Sequence, residues 1–591
     1  MEKIKSIKEK SKEAKKEKKK LDWEKIKNDK GIRIAFNILA VFCIMLFCFS
    51  ITPKGLQNDT FYTIKIGQDI RANGGIDYQD HYSWHENLEY MYPHWLYDVA
   101  TSVIYDFCGG YLGIYIATII LSMLLGVTLY FTNKKISKNA LMSFFLTMAQ
   151  MAMCKEYIAA RAQLVTFVLF VLTVLMIEKF LEKPKAWKAI VLVLIPTLIA
   201  NVHAAVWPFY FVLYMPYIGE YLLRLIIDAH IIHKVEVWYL KREIKRAEIN
   251  LKKADKTKAT MFRKSLADLK RQLEELNASF EKSKLKREEK RKNPYKLKLE
   301  RNDNVKWLII IMIVCLFTGL LTPLRDMPYT YTIRTMMGNT TKSINEHLPL
   351  TLIDNQMLLI SFAVVIGLLS FSKVKIRFRD LLFLAGLTLL AFMTRRQTSM
   401  LVLFGGMVVT RLISDLVEMY DKNGSIMLMH FMTTILGEIL TLVIVICLGY
   451  TSYAPNAKDN YISTTNYPVQ ACEWIKENLD YKNIKMFNDY NYGSYMLLQD
   501  IPVFIDSRCD LYTPEFNGKF NWNTRKFEDG KDMFTDYLNI SGIATHYENK
   551  FNEYGVTHVI CKGNSKLNLL LSRDTAYKQI YKDDMFIIYE R

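Results

Sequence analysis

Residues 32–52 read IRIAFNILAVFCIMLFCFSIT, an apolar run that carries a single charge, Arg33. A helix of about 20 apolar residues is long enough to span a lipid bilayer. Apolar runs of about 14–22 residues recur from here as far as residue 451. The pattern indicates a polytopic membrane protein, and it excludes a simple soluble enzyme, a disordered chain and a fibrous protein.

Hydropathy predicts about eleven membrane spans along the chain. Several of them are short for a span and would have to be tilted or broken to cross the bilayer. The predicted spans are 32–52, 111–131, 139–154, 164–179, 188–202, 207–228, 306–323, 356–372, 381–394, 398–416 and 430–451.

The positive charge of the chain is concentrated in two segments. Residues 1–33 hold 14 Lys or Arg against 7 Asp or Glu, and residues 231–306 hold 24 against 12, which together equal the net charge of +19 for all 591 residues. Basic segments beside membrane spans stay on the cytoplasmic side. A basic arm for nucleic acid is the alternative, but both segments adjoin apolar spans, so we predict a cytoplasmic N-terminus and no nucleic-acid partner.

The remaining basic loops test this topology. With the N-terminus inside, the Lys- and Arg-rich loops after the second, fourth, sixth and eighth spans all fall on the inner side. The same alternation predicts that the other connections lie on the outer side. These are residues 53–110, 155–163, 203–206, 324–355, 395–397 and 452–591.

The second basic segment has its own periodicity. Apolar residues at 3–4 spacing run along 237–251 and again along 262–280, between charged faces. Such spacing predicts two coiled-coil helices, and the break at 254–260 predicts a helical hairpin. We interpret the hairpin as a structural arm or a docking element for a cytoplasmic protein.

The segment after the last span has a mixed pattern. Short strands are predicted at 486–488, 503–505, 556–561 and 585–589, and helices near 468–479, 534–540 and 565–572. This alternation predicts a small α/β domain outside the membrane. No GxGxxG or Walker A sequence occurs in the chain, so neither a dinucleotide nor a nucleoside triphosphate site is indicated.

The predicted fold is therefore mainly α, a membrane helix bundle with a cytoplasmic hairpin insert and a small α/β domain. Its predicted parts are a basic N-terminal segment 1–31, a first membrane half 32–230 with a catalytic loop 53–110, a charged hairpin 231–305, a second membrane half 306–451 and an α/β domain 452–591.

Polar residues on the predicted outer side are the candidates for chemistry. In the loop 53–110, Asp59 lies shortly after the first span and before two aromatics, and Asp80 is a second candidate carboxylate. The ends of later spans carry charged or imidazole side chains, at Arg161, His203, Arg395 and Arg396. Carboxylates serve as general bases and guanidiniums hold phosphate, so the combination suits an enzyme acting on a phosphate-bearing lipid.

A divalent cation is a further possibility to weigh. His81 and His85, together with Asp80, would form a metal site if this stretch were helical, but the intervening Tyr82, Ser83 and Trp84 do not favour a helix. We therefore predict no metal ligands, and a divalent cation stays open as a cofactor.

Several short motifs resemble those of a bacterial group of GT-C-type glycosyltransferases, a superfamily that includes the protein O-mannosyltransferases. The likeness runs from the first loop to the α/β domain, outside the two basic segments. It is carried by DTFYTIKIG at 59–67, GIDYQDHYSW at 75–84, HWL at 94–96, RAQ at 161–163, NVH at 201–203, RRQ at 395–397, FNDYNYGSY at 487–495 and VFIDSR at 503–508.

The resemblance implies an acidic catalytic residue in the first outer loop, which Asp59 matches, and a sugar donor linked to polyprenyl phosphate. Thr63 departs from the group, which often has His at this position. The stretch from Asp489 to Gly493 is loosely similar to the peptide-recognition motif of oligosaccharyltransferases but lacks its paired tryptophans, which argues against protein N-glycosylation; the alternative is a turn between a strand and a helix. We assign Asp489, Gly493 and His94 to acceptor contact or structure.

The predicted function is transfer of a sugar from a polyprenyl-phosphate carrier to an acceptor hydroxyl at the outer face of the membrane. Asp59, aided by Asp80, would accept the proton, while Arg161, His203 and the 395–396 arginines would hold the phosphate. Two alternatives stay open: a transporter or flippase of a lipid-linked sugar, and a non-catalytic assembly factor of the cell envelope. A transporter would carry polar residues near span midpoints and show inverted repeats, and neither is evident here.

Overall fold

The computed structural model describes residues 29–254, 256–292, 294–338, 344–353, 355–521, 523–524 and 526–591. The predicted basic segment 1–31 thus lies outside the described residues except at its end, where Asp29 begins the first helix. Its Oδ1 accepts hydrogen bonds from the backbone N–H groups of Gly31 and Ile32 at 2.7 and 3.3 Å, which caps the helix.

Before the charged insert, the described chain is mainly helical. They are α1 (Lys30–Ile51), α2 (Asn58–Asn73), α3 (Trp95–Phe107), α4 (Tyr111–Ser137), α5 (Ala140–Met153), α6 (Ala162–Glu182), α7 (Ala186–Val202), α8 (Phe209–Val212) and α9 (Met215–Ala229). The insert follows as α10 (Ile231–Lys253) and α11 (Lys256–Lys292).

The second half of the bundle is again helical. Its helices are α12 (Val305–Cys315), α13 (Met327–Met337), α14 (Gln356–Phe371), α15 (Phe378–Met393), α16 (Thr398–Met400), α17 (Gly406–Tyr420), α18 (Lys422–Met432) and α19 (Ile435–Lys458). A π-helical turn, Leu401–Gly405, joins α16 to α17. Two short parallel strands, β1 (Leu297–Lys298) and β2 (Ile376–Arg377), pair beside the insert.

The bundle has the helices that hydropathy predicts. A helix lies at each predicted span, and among the described residues six helical stretches are long and apolar enough to cross a bilayer. These six are 30–51, 111–137, 162–182, 204–253, 395–420 and 435–458, and four further apolar helices are shorter. The chain is thus a membrane protein with a helical bundle, and the count of eleven spans stays a prediction.

Close packing of α1 on α4 illustrates how the bundle is held. A Cβ placed on Gly126 of α4 would lie 2.7 Å from Sγ of Cys48 on α1, nearer than atoms pack. Small residues let membrane helices approach in this way, because van der Waals contact drives helix association in lipid. Gly126 therefore sets the distance between these two helices.

The insert forms a helical hairpin. Residues at the predicted apolar positions of α10 and α11 are the more buried ones, and α10 packs along α11. Its base is fixed to the bundle, because Arg291 forms a 2.6 Å ion pair with Asp228 of α9. The coiled-coil geometry and the docking role of this arm stay predictions.

The α/β domain contains a four-stranded sheet. Its helices are α20 (Val469–Asn478), α21 (Tyr490–Leu498), α22 (Pro514–Asn517), α23 (Met533–Gly542), α24 (Tyr547–Tyr554) and α25 (Lys566–Leu571), and its strands are β3 (Met486–Phe487), β4 (Lys519–Asn521), β5 (Lys526–Glu528), β6 (His558–Lys562), β7 (Lys578–Lys582) and β8 (Phe586–Glu590). The order is β3-β6-β8-β7, with β3 parallel to β6 and the other pairs antiparallel, while β4 and β5 form a separate hairpin.

One predicted strand is absent from this sheet. Residues 503–505 form no strand; instead Val503 makes an isolated bridge to Ser83, and the Asn488 side chain accepts from Phe504 N at 2.8 Å. The three residues are apolar and buried as in a strand, but they contact the loop 53–110 rather than a sheet. The Trp84 indole likewise donates to the Met486 carbonyl at 3.0 Å. The loop and the α/β domain thus share one packed interface, which positions the site.

Candidate active site

A cavity of about 660 Å³ lies where the bundle, the loop 53–110 and the α/β domain meet. Five of the nine residues singled out from the sequence line it: Asp59, His94, Arg161, His203 and Arg396. The other four, Asp80, Arg395, Asp489 and Gly493, do not line it. Residues that are 337 positions apart in the chain thus meet at one chamber.

Asp59 lies in the first turn of α2, where the positive end of the helix dipole favours a carboxylate. Its Oδ2 is 3.0 Å from Nε of Arg161, which precedes α6. The same guanidinium lies 3.4 Å from Oε1 of Glu346, through Nη1. Arg161 therefore lies between two carboxylates.

Glu346 was not identified from the sequence. It lies in a short 3₁₀ turn, Asn345–His347, inside the segment 324–355 that was predicted to be on the outer side. The backbone fixes it further, since Thr394 Oγ1 lies 3.4 Å from the Glu346 carbonyl. The sequence predicted only the side of the membrane on which Glu346 lies, and that stays a prediction.

Arg396 and His203 line the cavity as neighbours, and we call them the nitrogen wall. No salt bridge joins Arg396 to a carboxylate within the described ranges, and the buried Nδ1 of His203 has no hydrogen-bond partner there. His347 lines the same wall. Arg395 points elsewhere, because its Nε donates to the Pro349 carbonyl at 3.2 Å. The wall is therefore a group of nitrogen donors that an anion would satisfy.

His94 lines the cavity, and each of its two ring nitrogens has a hydrogen-bond partner. Its Nδ1 is 2.6 Å from Oδ1 of Asp98, which is fully buried in the first turn of α3, and its Nε2 is 2.9 Å from the Tyr62 hydroxyl. Burial lowers the pKa of His94, but the charge and hydrogen bond of Asp98, with Asp59 nearby, more than offset this and raise it above its usual value. The raised pKa extends the pH range over which His94 is protonated.

Asp80 has another place. Its Oδ1 accepts from Arg508 at 2.6 Å and its Oδ2 accepts from Ser83 N and Oγ, all in the interface between the loop 53–110 and the α/β domain. Burial raises the pKa of Asp80, yet Arg508 and Ser83 outweigh it, so the carboxyl is held below its usual range. With both oxygens occupied and no face on the cavity, this geometry supports a structural role rather than the predicted proton acceptor.

Asp489 and Gly493 support the local chain. Asp489 caps α21, since its Oδ1 accepts from Asn491 N at 2.8 Å, and it lines a second cavity of about 540 Å³. A Cβ on Gly493 would lie 2.0 Å from the Ile505 carbonyl oxygen, so only glycine fits there. The two cavities share Asn58, Arg161 and Asn491.

The His81 and His85 pair does not form a helix. His81 Nε2 lies 2.8 Å from Asp77 Oδ2, whereas His85 Nε2 lies 2.9 Å from the Phe504 carbonyl. Among the residues that could be described, no three or more His, Cys, Asp or Glu side chains form a group able to hold a metal ion. The question of a divalent cation therefore stays as the sequence left it.

Fold and site together define an integral membrane protein whose cavity, lined by several charged side chains, lies between a helical bundle and an α/β domain. The fold is similar to that of archaeal oligosaccharyltransferase AglB from Archaeoglobus fulgidus, solved with an inhibitory peptide and a dolichol-phosphate, with a TM-score of 0.50 and 9% identity over 89% of this chain and 69% of that one. An apo structure of the Archaeoglobus fulgidus oligosaccharyltransferase gives a TM-score of 0.48 and 11% identity over 92% and 70% of the two chains.

Sequence comparison adds no relative: no protein-family model matches the chain, and no curated protein matches its sequence. The likeness to the archaeal enzyme is one of fold. The GT-C resemblance carried by the motifs stays a prediction. The bacterial group and the relation to O-mannosyltransferases stay predictions.

Proposed function

We propose that this protein is an integral membrane glycosyltransferase that moves a sugar from a polyprenyl-phosphate carrier to an acceptor hydroxyl. The observation that carries the proposal is one cavity lined by a carboxylate, Asp59, and by the nitrogen groups of Arg396 and His203. A lipid-phosphate donor also agrees with the fold neighbour, whose structure contains dolichol-phosphate.

The donor phosphate would bind at the nitrogen wall. Arg396 offers a planar guanidinium that matches phosphate oxygens, and His203 adds a donor whose buried Nδ1 lacks a partner. Charge-assisted hydrogen bonds of this kind stabilise the charge that develops on a leaving phosphate. Arg161 would contribute less directly, because Asp59 and Glu346 already share it.

Asp59 would act as the general base. Its position in the first turn of α2 and its contact with Arg161 fix the carboxylate toward the cavity. The acceptor hydroxyl would attack the anomeric carbon while its proton passes to Asp59, and the electron pair of the broken bond would leave with the phosphate oxygen. The second cavity shares Asn58 and Asn491 with the first, and we assign the approach of the acceptor to that side.

The sidedness of the site is part of the proposal. We place the N-terminus and the hairpin arm in the cytoplasm, where a protein partner would dock on the arm, and the cavity and α/β domain on the outer face. In a chain freed of its other cysteines, Asp59→Cys and Arg395→Cys should both react with a membrane-impermeant thiol reagent from the outside of intact cells, while a cysteine at the hairpin residue Lys264 should not. Labelling of positions 59 and 395 from opposite sides would contradict the proposal.

The direct assay uses the purified protein in lipid nanodiscs with tritiated polyprenyl-phosphate mannose, glucose or arabinose as donor. Release of polyprenyl phosphate together with labelled product supports the transferase. Saturable binding without release supports the transporter or the assembly factor instead. Vesicles that move the intact labelled lipid between leaflets would favour the transporter alone.

Substitution of the nitrogen wall gives a sharper prediction. Arg396→Ala should raise the KM for the donor by about 10- to 100-fold, since a hydrogen bond to a charged group is worth about 1.5–3 kcal/mol. Arg395→Ala is the matched control, being the adjacent arginine that does not line the cavity, and should leave the KM unchanged. Equal effects of the two substitutions would remove Arg396 from the phosphate site.

A further inference from the structure

Asp98, His94 and Tyr62 form a continuous hydrogen-bonded row at the cavity, and the proposed mechanism does not use it. Asp98 binds Nδ1 of His94 at 2.6 Å, and Nε2 of His94 meets the Tyr62 hydroxyl at 2.9 Å. Asp98 is fully buried behind the row, whereas His94 and Tyr62 line the cavity. The row therefore runs from the protein interior to the place where the donor would lie.

The groups that face His94 define its charge. On its own helix these are Asp98 and Tyr97; from α2 come Tyr62 and Asp59, and His203 faces it from the end of α7 with ring centres 6.4 Å apart. The two carboxylates, Asp98 and Asp59, favour the imidazolium. Asp98 dominates, because it alone combines charge with a short hydrogen bond in a buried setting.

We propose that Asp98, His94 and Tyr62 form a proton relay that protonates the departing phosphate of the donor. The proposal rests on the proposed glycosyltransferase function and deepens it by naming a general acid. Tyr62 would be the catalytic residue, because its side chain lines the cavity and its hydroxyl meets His94, and His94 and Asp98 would be positioning residues that supply and hold the proton. His94 and Tyr62 both line the cavity, as a relay to a bound ligand requires.

The step balances. As the bond between the anomeric carbon and the phosphate oxygen breaks, its electron pair stays on that oxygen, which takes the proton of the Tyr62 hydroxyl. Tyr62 is reprotonated from Nε2 of His94, leaving a neutral imidazole. The acceptor proton, taken up by Asp59, returns to His94 after the reaction, so nothing is oxidised or reduced and the leaving lipid carries the proton that the acceptor lost.

The test compares two donors whose phosphates differ in their need for a proton. One is the polyprenyl-phosphate sugar active in the transfer assay, and the other is the matching glycosyl nitrophenyl phosphodiester, whose leaving phosphate is less basic. His94→Gln and the nearly isosteric Tyr62→Phe should lower kcat on the lipid donor by about 10²–10⁴-fold with little change in KM. On the activated donor both variants should regain most of the wild-type rate. His81→Gln, an exposed histidine of the same loop, is the control.

The pH profile separates a relay from a packing role. Because His94 must be protonated to act, wild-type turnover of the lipid donor should fall as pH rises through the raised pKa of His94. Asp98→Asn removes the charge that raises that pKa, so the fall should move to lower pH. On the activated donor the fall should be absent.

The outcomes are distinct. Equal losses on both donors in His94→Gln and Tyr62→Phe, or wild-type rates in both variants, would overturn the relay while wild-type transfer leaves the glycosyltransferase intact. Absence of transfer by the wild-type protein on every donor would remove both proposals.

Discussion

Asp59→Asn is expected to give a folded, membrane-inserted protein whose sugar transfer is about 10²–10⁴-fold slower than that of the wild type. Asparagine keeps the size and one acceptor oxygen of Asp59 but cannot take a proton at neutral pH. The measurement is the initial rate of polyprenyl-phosphate release by the purified variant in nanodiscs, at saturating donor.

The control for this prediction is Asp77→Asn in the same loop, an exposed carboxylate whose partner is His81. It should transfer sugar at the wild-type rate. Binding of the donor should persist in Asp59→Asn, because Arg396 and His203 remain in place. Turnover close to that of the wild type would take Asp59 out of the mechanism.

Glu346, the second carboxylate that contacts Arg161, gives a related prediction for donor binding. Glu346→Gln removes one of the two carboxylates on Arg161 but leaves Asp59 in contact with it. The guanidinium then carries more uncompensated charge, so the donor KM should fall, by less than tenfold, while kcat stays within a few-fold. An increased KM would show that Glu346 itself contacts the donor.

Membrane helices and several site residues were predictable because lipid imposes simple rules. Hydropathy located a helix at each predicted span, and polar residues at span ends, such as Arg161 and His203, meet at the cavity because charges avoid hydrocarbon. Asp59 followed from the same rule and from a motif. Neither signal requires knowledge of which distant segments touch.

What could not be predicted depends on such contacts. Glu346 and Asp98 look like ordinary loop or helix carboxylates until the fold brings Arg161 and His94 to them. The three residues 503–505 form a short apolar run typical of a strand, yet their partner is the loop 53–110 and not the sheet. Hydrophobic period reports that a face is buried but not what covers it.

Asp80 is the clearest example of a residue whose role depends on a distant contact. Its partner Arg508 is 428 residues away in the chain, and Arg508 also pairs with Asp506 at 2.7 Å, with all three side chains fully buried. Arg508→Met leaves two buried carboxylates without their cation. Loss of one partner of a buried ion pair costs about 3–5 kcal/mol, so the variant should unfold at much lower temperature and expose the α/β domain to protease.

The pH dependence of this loss has a definite sign. In the wild type Asp80 has a lowered pKa, so its contribution to stability is complete at neutral pH and is lost only as pH falls through that low value. Without Arg508 the largest remaining influence is burial, which raises the pKa of Asp80 and favours the protonated form. The destabilisation of Arg508→Met should therefore be smaller at pH 5 than at pH 8. Arg573→Met, an exposed arginine of the same domain, should melt like the wild type at both, and an Arg508→Met protein as stable as that control would mean that the buried ion pairs do not hold the loop to the domain.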